Sequence, residues 1–319
     1  VVQAVAGWGK DMAEIQVKRA VEGISAVLLP FKAGEPDTDG LGTLSIRTVE
    51  AGLTPAFNMD TGYANLLSRD QRSELLSLCS FWAVGKGFVA GAFAEGEPDP
   101  EAAYGASIDE ICIHGGTPIL FPSTWLTSLD PSRKLHVLRQ FAEQAGRLLV
   151  FELGRMFVPF GEIWEDAFFE EVMQIPEVVG LKHSSLRRDT EWRRLDSRDR
   201  IRPGFKIYTG NDLAIDQIMW GSDYLLGLSA FHPEAFALRD DWWWAGDARF
   251  YELNDALQFL GAYAFRPPVP AYKHSCAQFL KLRGILESDE PHPLGMRRDV
   301  SDLEVLEGIL DRIEEAMAR

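Results

Sequence analysis

The stretch Val178-Val179-Gly180-Leu181-Lys182-His183-Ser184-Ser185 sets one lysine at the polar end of a short apolar run, with small hydroxyl residues directly after it. If Val178 to Leu181 form a buried strand, Lys182 leaves it where strand becomes loop and keeps apolar walls at its base. Desolvation there disfavours the ammonium, lowers its pKa and leaves a free amine able to attack a carbonyl carbon. The competing reading is a lysine that caps the strand and reaches water.

Such a lysine does chemistry only inside a pocket, so the chain must be able to build one. It has 319 residues, 46% of them hydrophobic and 25% charged. That supports a large core, and for one domain of this length a barrel or a large α/β sheet. A net charge of -16 argues against nucleic acid and anionic membrane partners and leaves small anionic substrates open. Cys79, Cys112 and Cys276 are far apart and form no CxxC, which suggests neither a disulfide framework nor a zinc knuckle; a reducing, cytoplasmic location is expected. The six histidines are scattered without ligand spacing, so no metal site and no cofactor is implied. No apolar run approaches transmembrane length, and Val1 to Ala6 is too short for a signal h-region.

Read in order, apolar strands alternate with helices. Strands are expected at Gly23–Phe31, Leu53–Asn58, Gly87–Gly91, Pro118–Pro122, Leu148–Glu152, Val178–Lys182, Phe205–Thr209 and Asp223–Gly227. Residues 10–22 read as a short helix, and Asn211–Trp220 as another. Ser68-Arg69-Asp70-Gln71 has the capping-box form, while Asp99-Pro100 and Asp130-Pro131 each set an N-cap before an N1 proline. Past residue 230 only helices are expected, the last capped by Ser301. The pattern is that of a (β/α)8 TIM barrel over 1–230, with a C-terminal helical extension of the same domain over 231–319. Gly85, Gly87 and Gly91 are misspaced for a dinucleotide loop and precede their strand. In a barrel, reacting groups sit at the C-terminal strand ends. That rule nominates Lys182 together with Asn58–Gly62, Ser123–Leu126, Phe151–Arg155, Thr209–Asp212 and Gly227–Ser229.

In order along the chain, four segments resemble the dihydrodipicolinate synthase / N-acetylneuraminate lyase family of class I aldolases. Gly180-Leu181-Lys182 is similar to its G-[IL]-K Schiff-base segment. Asp60-Thr61-Gly62 with Leu67-Ser68 resembles its G-T-T-G-E loop and the helix start after it. Tyr208 to Asp212 resembles its [SG]-G-x-D segment, and Pro270 to Lys273 the P-x-K opening of a C-terminal helix. The resemblance implies a Schiff base between Lys182 and a 2-oxo acid, usually pyruvate. Bond breaking beside the iminium then leaves an enamine in place of a bare carbanion. It also implies a homotetramer or homodimer.

The chain departs from that pattern where protons are moved. The relay tyrosine on strand five falls on Phe151, and its partner after strand four falls on Leu126, beside Trp125. The first threonine of G-T-T-G-E becomes Asp60 and its glutamate becomes Tyr63, while the arginine after strand five is offset by one, at Arg155. An ionised Asp60 would repel a substrate carboxylate near Thr61 and Gly62. Asp60, with a pKa raised by an apolar pocket, is the first choice of acid and base; Glu152 and Tyr63 are weaker ones. Phe151, Arg155, Gly227, Ser123 and Trp125 join Thr61 and Gly62 as candidate substrate contacts. The alternative reading is an altered barrel that binds a small metabolite without aldolase turnover. Elsewhere His183 is expected to turn away from the barrel axis and Glu152 to pair with Arg155. Asn211 or Asp212 is expected to cap the next helix, and Arg187 to Arg194 to form a solvated face. Trp242 to Trp244 is expected to be core or subunit interface.

Overall fold

A computed structural model describes residues 13–83 and 85–319. Eight parallel strands close into a barrel: β1 (Gly23–Ala26), β2 (Thr54–Phe57), β3 (Phe88–Ala92), β4 (Gly116–Leu120), β5 (Leu148–Leu153), β6 (Val178–Ser184), β7 (Lys206–Thr209) and β8 (Asp223–Leu226), with β1 pairing both β2 and β8. Helices α1 (Thr38–Glu50), α2 (Arg69–Trp82), α3 (Pro100–Ile113), α4 (Thr124–Ser128), α5 (Pro131–Ala145), α6 (Asp166–Met173), α7 (Arg188–Ile201) and α8 (Pro233–Ala245) lie between and after the strands. The local signals work as expected: Ser68 and Gln71 form a reciprocal capping box, and the Asp99 and Asp130 side chains cap α3 and α5.

Alternation along each strand sorts its side chains into two cores. Ile24, Ala26, Ala56, Val89, Ile119, Leu149, Phe151, Tyr208 and Leu225 fill the barrel interior, while their strand neighbours, such as Val150, Leu181 and Ile207, pack under the helices. Strand register then fixes which way Lys182 points. It is level with Phe151 on β5 and Tyr208 on β7, both interior residues, so it faces inward too. The next row, Glu152, His183 and Thr209, faces the helices.

Several expectations are corrected. Residues 13–22 form an irregular segment with one turn, not a helix; residues 10–12 lie outside the described residues. That segment is held under the barrel by Gln16, whose backbone N–H donates to the Met219 carbonyl at 2.7 Å, and by Arg19, which reaches Asp223 Oδ1 at 2.7 Å. Long-range polar contacts to the strand bottoms replace the local bonds of a helix. β1 stops at Ala26, and Phe31–Lys32 leaves the barrel to pair with Glu35–Pro36. Between β7 and β8 there is a loop and a 3-10 helix (Ile215–Trp220) in place of a helix from Asn211. Ser301 makes no side-chain cap to the last helix; Asp299 instead accepts from the Ser301 amide at 2.9 Å.

α8 packs against α1, so it completes the helical ring although it lies past residue 230. Within it Trp242 and Trp243 are buried and Trp244 is exposed. The remaining helices, α9 (Arg249–Ala264), α10 (Tyr272–Leu282) and α11 (Asp302–Ala318), pack on one another beside the barrel. α10 carries side chains into the barrel mouth.

Candidate active site

β6 continues to Ser184, so Lys182 lies two residues inside the strand and not at its end. Its stem is gripped on both sides by neighbouring strands, and its Nζ stands 4.5 Å from the centre of the Phe151 ring. Phe151 meets Phe121 edge to face at 5.3 Å, and together they make an apolar wall. Gly210 leaves room for the lysine stem, since a Cβ there would stand 2.8 Å from Lys182 Cε. No hydrogen bond from Lys182 Nζ is found among the described residues, and the side chain keeps some contact with solvent. Burial lowers its pKa to about 8, and the negative charges of Asp212 and Asp60 limit the fall.

Asp60 opens a one-turn 3-10 helix, Asp60–Gly62, beyond β2. Its Oδ1 accepts from Lys273 Nζ at 2.8 Å and its Oδ2 from the Tyr272 hydroxyl at 2.9 Å. Lys273 also donates to the Asp60 carbonyl at 3.0 Å. Crowding in the mouth raises the carboxyl's pKa, but the Lys273 charge and these hydrogen bonds outweigh it and hold Asp60 below its ordinary range. The expected raised pKa is therefore reversed. Burial is the largest single influence on this carboxyl, and it is the Lys273 charge together with both hydrogen bonds that overcomes it. The ion pair also removes the expected repulsion: Lys273 neutralises the charge that a substrate carboxylate would meet.

Asp212 is the residue that sequence reasoning set aside as a helix cap. It accepts from the Leu228 amide at 2.7 Å, and burial pushes its pKa up to about 6. α9 steadies its loop through Gln258, which donates to the Asp212 carbonyl at 3.2 Å. Asn211 caps only its own turn, accepting from the Leu213 amide at 3.0 Å. The mouth thus combines a lysine near pKa 8 with a carboxyl near 6, two groups that exchange protons readily close to neutrality.

The other expected contacts divide. Thr61 is buried with its Oγ1 2.9 Å from the Tyr272 hydroxyl, and Gly227 allows that approach, since a Cβ there would stand 2.9 Å from Thr61 Oγ1. Gly62 lies in the same 3-10 turn, and Phe151 lines the lysine. Ser123 is an N-cap, its Oγ accepting from the Leu126 amide at 3.1 Å, and Trp125 packs on Tyr104. Arg155 is exposed and bonds the Gly161 carbonyl at 3.4 Å. Tyr63 turns away to pack between Phe31 and His292.

Glu152 does not pair with Arg155. It is fully buried outside the barrel, where it accepts from Arg194 Nη2 at 2.8 Å and the Trp164 amide at 2.9 Å, and stands 2.5 Å from His183 Nδ1. Burial alone would raise its pKa, but His183 and Arg194 bring it down to about 2. His183 faces away from the axis as expected, its Nε2 2.7 Å from Ser185 Oγ. Glu152, His183 and Ser185 line up like a charge relay, yet Ser185 is 4% exposed and its Oγ already bonds the Arg187 backbone. Arg194 is buried over the Phe169 ring, a correction to the solvated face expected for 187–194; Arg187 and Arg193 do lie on the surface.

Comparison with solved structures places this architecture. A dihydrodipicolinate synthase from Thermotoga maritima superposes with a TM-score of 0.79 at 18% identity, covering 93% of this chain and 99% of that one. A prophage protein of the dihydrodipicolinic acid synthase family from E. coli K12, in complex with pyruvate, gives 0.81 at 15%, covering 92% and 98%. The chain has the fold of the dihydrodipicolinate synthases. A third such enzyme, from Rhodopseudomonas palustris, gives 0.77 at 19%, covering 94% and 100%. No family model and no curated protein matches the sequence. The dihydrodipicolinate synthase fold therefore reaches here through backbone geometry, with side chains largely replaced.

Proposed function

We propose that this chain is a divergent member of the dihydrodipicolinate synthase / N-acetylneuraminate lyase family, a lyase that forms a Schiff base between Lys182 and a 2-oxo acid or related carbonyl compound. The observation that carries this is the Lys182 amine: interior, bedded on Phe151, and brought to a pKa of about 8 by burial. The amine attacks the carbonyl carbon, the oxygen leaves as water, and the iminium draws electrons from the adjacent bond. Asp212 and Asp60 are the nearby carboxylates that take one proton from nitrogen before attack and a second after it, and pass both to the oxygen that leaves as water. Lys273 makes a carboxylate-bearing substrate tolerable beside Asp60. Phe151 stands where the family has a tyrosine, and it is what favours a barrel that binds a carbonyl metabolite without turning it over.

The deciding experiment is borohydride reduction with a panel of oxo acids and aldehydes, pyruvate included, read by peptide mass. A substrate-dependent adduct on Lys182 is expected; no adduct from any of them transfers the assignment to the binding reading. The pH dependence has a definite sign. Neutral amine accumulates as pH rises through about 8, so the trapping rate should climb roughly tenfold per unit below that and level off above it. Asp212→Asn removes a charge that holds the ammonium, so its plateau should begin at lower pH. An unmoved or upward-shifted profile would contradict the coupling. The reading also carries a homotetramer or homodimer in the cytoplasm; a light-scattering mass of one 35.7 kDa chain would remove the oligomer.

A further inference from the structure

Tyr272 enters the barrel mouth from the first residue of α10, outside the barrel proper. Its ring is stacked on Phe265 at 4.2 Å with 16° between planes, so the hydroxyl has little freedom to wander. That hydroxyl lies 2.9 Å from Asp60 Oδ2 on one side and 2.9 Å from Thr61 Oγ1 on the other. A carboxylate can only accept, so the phenol donates to Asp60 and its oxygen accepts from Thr61. Lys273, the next residue, takes the other carboxylate oxygen and so turns Oδ2 toward the phenol. Three groups thus form one directed chain, Thr61 to Tyr272 to Asp60, in a mouth whose strand-five position is a phenyl ring.

We propose that Tyr272 is the central link of a proton relay, Thr61–Tyr272–Asp60, that serves imine formation at Lys182; this rests on the Schiff-base reading above. In the forward sense the Lys182 ammonium yields a proton to the chain. Thr61 Oγ1 accepts it as its own proton passes to the phenol oxygen and the phenol's proton passes to Asp60. The free amine then forms a C–N bond and the carbonyl π pair moves to oxygen. The stored proton returns from Asp60 through Tyr272 and Thr61 to that oxygen and gives the carbinolamine; the nitrogen then releases a second proton along the same chain to the hydroxyl, the C–O bond breaks, and water and the iminium result. Two protons leave nitrogen in turn and two reach oxygen, so no outside acid is consumed. Burial and the Asp60 charge push the Tyr272 pKa far above that of an ordinary phenol, so the two transfers at its oxygen occur together and no phenolate accumulates.

The test is timed borohydride quenching with pyruvate, 2-oxobutyrate and propanal, following the Lys182 adduct in wild type, Tyr272→Phe, Asp60→Asn and the double variant. The phenyl ring keeps its stack on Phe265, so Tyr272→Phe should reach the same final adduct at a rate about 100-fold lower. The double variant should be about as slow as the slower single one, because breaking one chain twice adds nothing. A residue that merely packs would give independent, additive effects. Should Tyr272→Phe fail to fold, Thr61→Val cuts the chain from the other side and should slow the rate likewise. A Tyr272→Phe rate within about threefold of wild type, or additive losses, overturns the relay while leaving the Schiff base standing. No wild-type adduct with any of the three removes both.

Discussion

Lys182→Ala should abolish borohydride trapping and lower turnover by roughly 10⁴-fold or more, as loss of a covalent nucleophile does. The fold should survive, because no hydrogen bond from Nζ to the described residues is lost. Lys182→Met is the matched control. It retains an apolar stem beside Phe151 and should be equally inactive, with unfolding free energy within about 1 kcal/mol of wild type. Circular dichroism and thermal melting report the fold, and peptide mass reports the adduct. Equal labelling of wild type and Lys182→Ala would end the assignment of this lysine.

The second large effect lies outside the site. Glu152→Ala should destabilise the chain by about 3–5 kcal/mol, because it leaves the Arg194 guanidinium buried without its carboxylate. It also strands the Trp164 amide and His183 Nδ1. Glu152→Gln keeps the shape but not the charge and should cost less. Stability should fall with acid too, with a stated sign. The folded-state pKa of Glu152 is about 2, below its ordinary value, so the pair's contribution is present above that ordinary value and fades as pH drops toward 2. Urea unfolding at neutral pH measures the substitution. A loss under about 1 kcal/mol would mean that water or rearrangement replaces the pair.

Both predictions turn on what local sequence conveys. The barrel was legible because each strand is an apolar run bounded by turns and each helix start carries its own cap, as at Ser68, Asp99 and Asp130. The strand that carries Lys182 was legible for the same reason, but the apolar wall that the lysine meets, Phe151 with Phe121, comes from other strands. Arg194 was misread because its partner lies 42 residues away, and a basic run seen alone resembles a solvated helix. Asp212 was misread because an Asn-Asp pair before an apolar stretch is a good cap, and only the Leu228 amide shows otherwise. Asp60 stands just beyond β2, but its pKa is displaced downward and not upward, because Lys273, its partner, lies 213 positions on. Pairings across such distances are set by tertiary packing, to which periodicity and capping are blind.

The mouth is also stitched from pieces of unequal durability. Lys182 hangs from a strand bonded on both sides, whereas Tyr272 and Lys273 hang from the first turn of a buried helix that shares no strand ladder with the barrel. Amide exchange at Lys182 should therefore track global unfolding, while the start of α10 should open in smaller excursions. Each such excursion would free Asp60 and empty the mouth of its phenol without disturbing the nucleophile. On warming, the chain would then lose its proton chemistry before it loses its barrel.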